Sequence, residues 1–153
     1  MMERTFVIIK PDAVQRGKIG KIIQRFEDKG LKIVALKMLT ISKEQAERQY
    51  SCHKGKPFYP TLVSFMTSGP AVALCIEAKN AISIVRKMLG ATDPINSEPG
   101  TIRGDFSVDT KHNLVHASDS KESVELEEAI YFPKSEIQGY HFSLNEWFYS
   151  EKP

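Results

Sequence analysis

The sequence predicts a sandwich of strands and helices, of the α/β or α+β class, on three observations. Short runs of β-branched and apolar residues recur along the chain at Phe6–Ile9, Leu31–Met38, Ala71–Ile76 and, more briefly, around Val115. Between them lie stretches whose apolar residues repeat with helical spacing. Glycine and proline punctuate the joins, and 153 residues with 41% apolar side chains can bury one core without staples. Elements of both kinds bury their apolar faces only by packing in layers.

Each element follows from local chemistry. Phe6-Val7-Ile8-Ile9 reads as a buried strand, stopped at Lys10-Pro11-Asp12 because proline cannot donate to a central ladder. Gly17 and Gly20 mark a turn, and Ile19, Ile22, Ile23 and Phe26 then form the apolar stripe of a helix that Gly30 ends. Leu31–Met38 is the second strand. Ser42-Lys43-Glu44-Gln45 matches a capping box and opens a short helix to about Tyr50. Pro57 to Pro60 form a proline-aromatic corner, followed by a helix from Thr61 to Met66 that Gly69-Pro70 breaks. After the third strand, Asn80 is the expected cap of a helix with Ile82, Val85, Met88 and Leu89 on its apolar face and Gly90 at its end. Asp119 with Glu122 suggests a capping-box-like start for a last helix reaching about Tyr131. The aromatic tail (Tyr140, Phe142, Trp147, Phe148, Tyr149) is expected to dock on its own domain or on a neighbouring subunit. The pattern fits one domain over residues 1–153, with a tail from about residue 138. Four strands satisfy either the β-α-β-β-α-β order of ferredoxin-like folds or a small doubly wound sheet.

One stretch, Ala91 to His112, shows no periodicity and is broken by Pro94, Pro99, Gly100 and Gly104. Irregular segments beyond about 12–15 residues usually carry function. This one holds Thr92, Arg103 and Asp105 and leads into Asn113-Leu114-Val115-His116-Ala117-Ser118-Asp119-Ser120. There a histidine ends a strand just before a helix opens. A neutral imidazole is nucleophilic near pH 7, and free N–H groups at a helix start suit an anion. On spacing alone, an ordinary core or surface histidine beside an N-cap is the simpler reading.

Composition narrows the field. A net charge of +2 is too small to argue for nucleic acid or membrane as a main partner. Cys52 and Cys75 make neither a CxxC pair nor a zinc spacing, so free thiols in a reducing compartment are expected. Phe6–Ile9 is too short for a signal peptide and no later run approaches a membrane span, which points to a cytoplasmic protein without membrane attachment. The P-loop, GxGxxG, kinase catalytic-loop and HExxH patterns are all missing. His112 and His116 would share one strand face, but two histidines without a third ligand seldom hold zinc. Arg103-Gly104-Asp105 invites a cell-adhesion reading, which a local loop role outweighs without a secretory signal. What remains are three scattered cations: Lys10 at a strand end, Arg86 in the last turn of a helix, and Arg103 in the irregular stretch. Each alone is a solvated charge. Together with His116 they match phosphoryl transfer, where positioning and charge stabilisation supply most of the catalysis. With them in place the emphasis moves from helix-start amides to side chains as the phosphate's holders.

The chain resembles nucleoside diphosphate kinases over nearly its full length. The carrying segments are Ile9-Lys10-Pro11-Asp12, Val14-Gln15-Arg16-Gly17, Arg25-Phe26-Glu27, Lys29-Gly30 and Ser68-Gly69-Pro70. Further on come Met88-Leu89-Gly90-Ala91-Thr92-Asp93-Pro94, Pro99-Gly100-Thr101-Ile102-Arg103-Gly104-Asp105-Phe106, and Asn113 through Ser120, which looks like the family's active-site signature. The resemblance implies a ferredoxin-like α+β sandwich with a four-stranded antiparallel sheet and helices on one main face. It implies a ping-pong enzyme in which a nucleoside triphosphate gives its γ-phosphoryl to His116 and a different nucleoside diphosphate takes it. Lys10, Arg86 and Arg103 match phosphate-binding positions, Thr92 a phosphate contact, and Asn113 a ribose contact. Tyr50 looks like the tyrosine beside the histidine. Phe58 falls where the family stacks an aromatic on the base, which tolerates every base because stacking reads a π-face. Leu62 and Thr110 are placed with it at the nucleotide. Glu127 matches the acid that fixes the imidazole tautomer and Ser118 its support; spacing alone does not separate Glu127 from Glu122, Glu125 or Glu128. Mg²⁺ is implied, carried by the nucleotide phosphates rather than by protein ligands. So is a homo-oligomer, a hexamer favoured over a tetramer from the tail after Ile137 and the loop at Pro94.

The departures are mild. Ala13 and Ala117 stand where the family often has glycine, Thr110 where a valine commonly covers the base, and Cys52 where many relatives carry an acid. Two competing readings differ in class. One is a histidine-based phosphohydrolase or nucleotidyl transferase, for which HxHxH and arginine-histidine-glycine motifs are missing. The other is a non-catalytic nucleotide sensor or single-strand binder, and nucleic-acid binding fits only as a secondary activity while the histidine and cations are present.

Overall fold

The computed structural model describes residues 1–152. Its centre is β1 (Glu3–Ile9), flanked antiparallel by β3 (Pro70–Ala78) on one side and β4 (Val115–Ala117) on the other. β2 (Lys32–Thr40) completes the sheet beside β3, giving the order β2-β3-β1-β4 with all pairs antiparallel. The helices among the described residues are α1 (Pro11–Gln15), α2 (Ile19–Asp28), α3 (Lys43–Gln49), α4 (Tyr59–Met66), α5 (Ala81–Leu89), α6 (Ile102–Phe106), α7 (Lys121–Tyr131) and α8 (Asn145–Phe148). This is the ferredoxin-like α+β arrangement, and antiparallel pairing excludes the doubly wound alternative. None of these helices is long and apolar enough to cross a membrane.

Helices cover both faces of the sheet, not one main face. Val7, Ile9, Leu74 and Ile76 pack with Ile22 and Phe26 of α2 and Val85 and Leu89 of α5. Phe6, Ile8, Ala73 and Cys75 pack on the other side with Ala46 of α3, Val63 and Met66 of α4, and Ile130 and Tyr131 of α7. The unbroken apolar run Phe6–Ile9 shows why: successive strand residues point to opposite faces, so a run without alternation needs two covers.

Several boundaries shift for local reasons. Pro11 stops β1 as expected, and it also starts α1, because a proline at the first helical position loses nothing. Gly17 makes the turn with φ +67°, whereas Gly20 lies inside α2. The Ser42–Gln45 capping box forms in both directions. Asn80 occupies the expected cap position with φ +56° but makes no side-chain cap bond; the Ile82 N–H donates to Glu3 Oε1 instead, at 2.9 Å. At α7 the cap is Ser120, whose Oγ accepts the Ser123 N–H at 3.1 Å, and Asp119 accepts the Ser123 hydroxyl rather than capping with Glu122. The irregular stretch contains a short turn at Pro94–Asn96 and the helix α6, capped by Thr101.

Candidate active site

The β1–β4 register sets Ile8 opposite His116, so the histidine projects on the face covered by α3 and α7. Glu127 of α7 reaches it there. Its Oε1 lies 2.9 Å from His116 Nε2, and its Oε2 accepts the Ser118 hydroxyl at 2.6 Å. Glu127 is only 5% exposed and Ser118 is fully buried, so the carboxylate has little freedom. An ionised carboxylate only accepts, which places the ring proton on Nε2 and leaves the Nδ1 lone pair available. The Tyr50 ring, at the end of α3, meets the imidazole edge to face with centroids 6.0 Å apart. Burial raises its hydroxyl's pKa well above the usual tyrosine range, and no described residue takes that hydroxyl as a partner.

The three cations face the same cleft of about 610 Å³ as His116, as do Thr92 and Asn113. Lys10 Nζ donates to Asn113 Oδ1 at 2.9 Å, and Asn113 Nδ2 donates to the Thr92 carbonyl at 2.9 Å. Burial pushes the Lys10 ammonium down to about 8; the Arg103 charge adds to this and Asp12 opposes it. Arg103, 6% exposed, donates to the carbonyls of Asn113, Gly90 and Val115 at 3.2, 3.0 and 2.6 Å. Burial, then the Arg86 charge, lowers it to about 10. Arg86 donates to the Ala117 carbonyl at 3.1 Å. Lys10, Arg86 and Arg103 thus share one cleft with His116, with the carboxylates of Asp119, Glu122 and Glu127 also on its wall. The repulsion between Arg103 and its two cationic neighbours is unrelieved by water where they are buried. An oxyanion entering the cleft relieves the repulsion and regains the desolvation cost, so polyanionic phosphate is the natural guest.

At the mouth, Phe58 is 49% exposed and its ring meets His53 edge on at 5.2 Å, while Leu62 lies behind on α4. Thr110 sits on an exposed loop outside the residues that line the cleft. The Arg103-Gly104-Asp105 run is spent on the fold: Arg103 turns inward, a Cβ on Gly104 would overlap the Glu98 carbonyl, and Asp105 pairs with Arg25 at 2.6 Å. His112 is off the strand and stacks on Phe65 at 5.0 Å, so it does not share a face with His116.

Gln49 and His53 also line the cleft, and Asp12 accepts the Leu114 N–H in the turn before His116, roles that spacing in the sequence does not single out. The burial of Gln49 was legible in principle, since that residue follows Ala46 by three on the buried face of α3. Asp12 carries no such periodic signal.

A family model described as "Nucleoside diphosphate kinase" matches residues 3–137. The nucleoside diphosphate kinase of Archaeoglobus fulgidus is 53% identical over 151 residues, spanning 99% of this chain and 100% of that one. The enzyme of Methanocaldococcus jannaschii is 58% identical over 137 residues, 90% of this chain and 98% of its own. Among solved structures, a halophilic nucleoside diphosphate kinase from Halobacterium salinarum in complex with CDP superimposes with a TM-score of 0.95 at 46% identity, covering 97% of this chain and 99% of that one.

Proposed function

The chain belongs to the nucleoside diphosphate kinase family, a phosphotransferase acting on nucleotides, and from that premise we propose that it works by ping-pong transfer through phospho-His116. The observation that carries the reading is the imidazole held at Nε2 by Glu127 with Nδ1 left free in a cation-lined cleft. Nδ1 attacks the γ-phosphorus of a bound nucleoside triphosphate, and the bond to the bridging oxygen breaks to release the diphosphate. A second diphosphate then attacks the same phosphorus with its terminal oxygen; the P–N bond breaks and its electron pair returns to Nδ1. Glu127 and Ser118 hold the tautomer through both halves. Lys10, Arg86, Arg103 and the Thr92 hydroxyl stabilise charge on the phosphate oxygens, Asn113 steadies Lys10 and meets the ribose, and Tyr50 packs the imidazole. Phe58, with Leu62 and at its margin Thr110, offers the base a stacking surface.

Magnesium enters with the substrate. Three cations face the cleft, a lining suited to phosphate oxygens. A magnesium ion would be carried there on the nucleotide's phosphates, where it would neutralise charge. The proposal takes the chain as one kinase domain with a tail from about residue 138, working in the cytoplasm, where the free thiols of Cys52 and Cys75 suit reducing conditions. It includes assembly as a homohexamer, which would cover such exposed apolar residues as Leu36, Met38 and Trp147.

Incubation with γ-labelled ATP and Mg²⁺ should place an acid-labile label on the protein, and any added nucleoside diphosphate should remove it. Undiminished labelling of His116→Ala would sink the assignment. Release by water without acceleration by diphosphate would point instead to a phosphohydrolase.

A further inference from the structure

The turn that delivers β4 into the cleft is built on an uncommon backbone. Leu114 has φ +73° and is one of two non-glycine residues with positive φ among the described residues. The Val115 N–H donates to the Asn113 carbonyl at 2.9 Å, across a single residue. Leu114 is thus the centre of a γ-turn of the positive-φ kind, which is rare and strained. Its side chain is fully buried. A non-glycine residue keeps such a conformation only where its surroundings over-determine it.

What over-determines it comes from one corner of the chain. The Lys10 N–H donates to the Leu114 carbonyl at 2.8 Å, and the Leu114 N–H donates to Asp12 Oδ2 at 3.1 Å. Both polar backbone groups of Leu114 are therefore held by Lys10-Pro11-Asp12, where the proline ring fixes the middle of the corner. The residue before Leu114 is Asn113, which takes the Lys10 ammonium; two residues after it comes His116. Asp12 Oδ1 is buried, and no described residue donates to it. A carboxylate oxygen kept from water without a partner is costly, and the fold retains it here. Its charge also opposes the effect of burial on Lys10.

We propose that Asp12 is a positioning residue of the phosphoryl-transfer site: its carboxylate locks the Leu114 turn, which sets the Asn113 amide against Lys10 and aims His116 into the cleft. The inference rests on His116 as the phosphoryl carrier. Without the carboxylate, Leu114 relaxes toward negative φ and the flanking peptides rotate. Lys10 then loses its amide partner and the imidazole its line of approach.

The test is the rate of His116 labelling by γ-labelled ATP after rapid mixing, normalised to the sites that label. Wild type, Asp12→Ala, Asp12→Asn, Asn113→Ala and the Asp12→Ala/Asn113→Ala double variant are compared. Asp12→Ala slows labelling about ten-fold or more, as expected for a misaimed reacting group. Asp12→Asn, which keeps an oxygen for the Leu114 N–H, recovers most of the loss. The double variant is slower than Asp12→Ala by no more than about two-fold, because Asp12→Ala already displaces the Asn113 amide that Asn113→Ala removes. A wild-type rate for Asp12→Ala, or losses that multiply in the double variant, overturns the inference. Should Asp12→Ala fail to fold, Asp12→Glu keeps the charge but displaces the oxygens; it slows labelling at least about three-fold, and a wild-type rate there overturns the inference equally. Failure of wild type to label at His116 would overturn the underlying reading instead.

Discussion

Lys10 is a buried cation with unequal neighbours: Arg103 of α6 disfavours its charge, Asp12 of α1 favours it, and Asn113 accepts its hydrogen bond. Burial dominates, and the ammonium titrates at about 8 against the ordinary 10.5. Below that pH the free protein carries the charge proposed to meet phosphate; above it the charge is lost. The value of kcat/KM for the nucleoside triphosphate, which reports the free enzyme, should therefore fall as pH rises through about 8. Lys10→Arg should flatten that alkaline fall while lowering the maximum, since a planar fork does not replace a compact ammonium. An unchanged fall in Lys10→Arg would assign it to another group. The sign for stability is opposite: the unfolded chain binds the proton more tightly, so the free protein gains stability as pH climbs from about 8 toward 10.5. None of this was legible in the sequence, which lists Lys10 and Arg103 93 positions apart. Glu127 was partly legible. It falls three residues after Val124 and four before Tyr131, on the buried stripe of α7, whereas Glu122 and Glu125 are exposed and Glu128 turns to Arg4. Helical periodicity separates Glu127 from Glu122 and Glu125, whereas Glu128, four residues after Val124 and three before Tyr131, is set aside only by its pairing with Arg4.

The strands and the long helices could be read from sequence because each buries a regular pattern, and the capping box at Ser42 behaved as its spacing requires. The stretch from Ala91 to His112 could not, because long-range contacts hold it. Gly90 shows how. It ends α5 at φ +87° and ψ −180°, a region essentially reserved for glycine, and its carbonyl accepts Arg103 Nη1. A Cβ there would meet Thr101 Oγ1 at 2.6 Å, and Thr101 is the cap of α6. Gly90→Ala should therefore cost roughly 2 kcal/mol, or about 4–8 °C in the thermal midpoint. It should also slow His116 labelling by disturbing Arg103. A midpoint within a degree of wild type would show that the junction yields freely.

Beyond the family match at residue 137, the tail returns to its own chain. The Gln138 N–H donates to the Val34 carbonyl, Tyr140 Oη donates to the Ile33 carbonyl, and Phe148 packs over Gly30. Docking on its own domain, one of the two placements expected from sequence, is thus observed. Trp147 is left 86% exposed at the same time. We expect light scattering to give six chain masses for the full protein and fewer after truncation at Ile137. Four masses for the full chain would favour the tetramer, and six for the truncated one would free the tail from any part in assembly.

β4 is also the border of the sheet, and its outward carbonyls at Val115 and Ala117 are already taken, by Arg103 and Arg86. Guanidinium groups here do the work that lysine or proline does on other open sheets: they deny the border to a further strand. The proposed phosphate chemistry and resistance to aggregation therefore share two side chains. Arginine-to-alanine variants of this cleft strip a sheet border bare as well as a binding site, and their lost turnover is to be read beside their solubility.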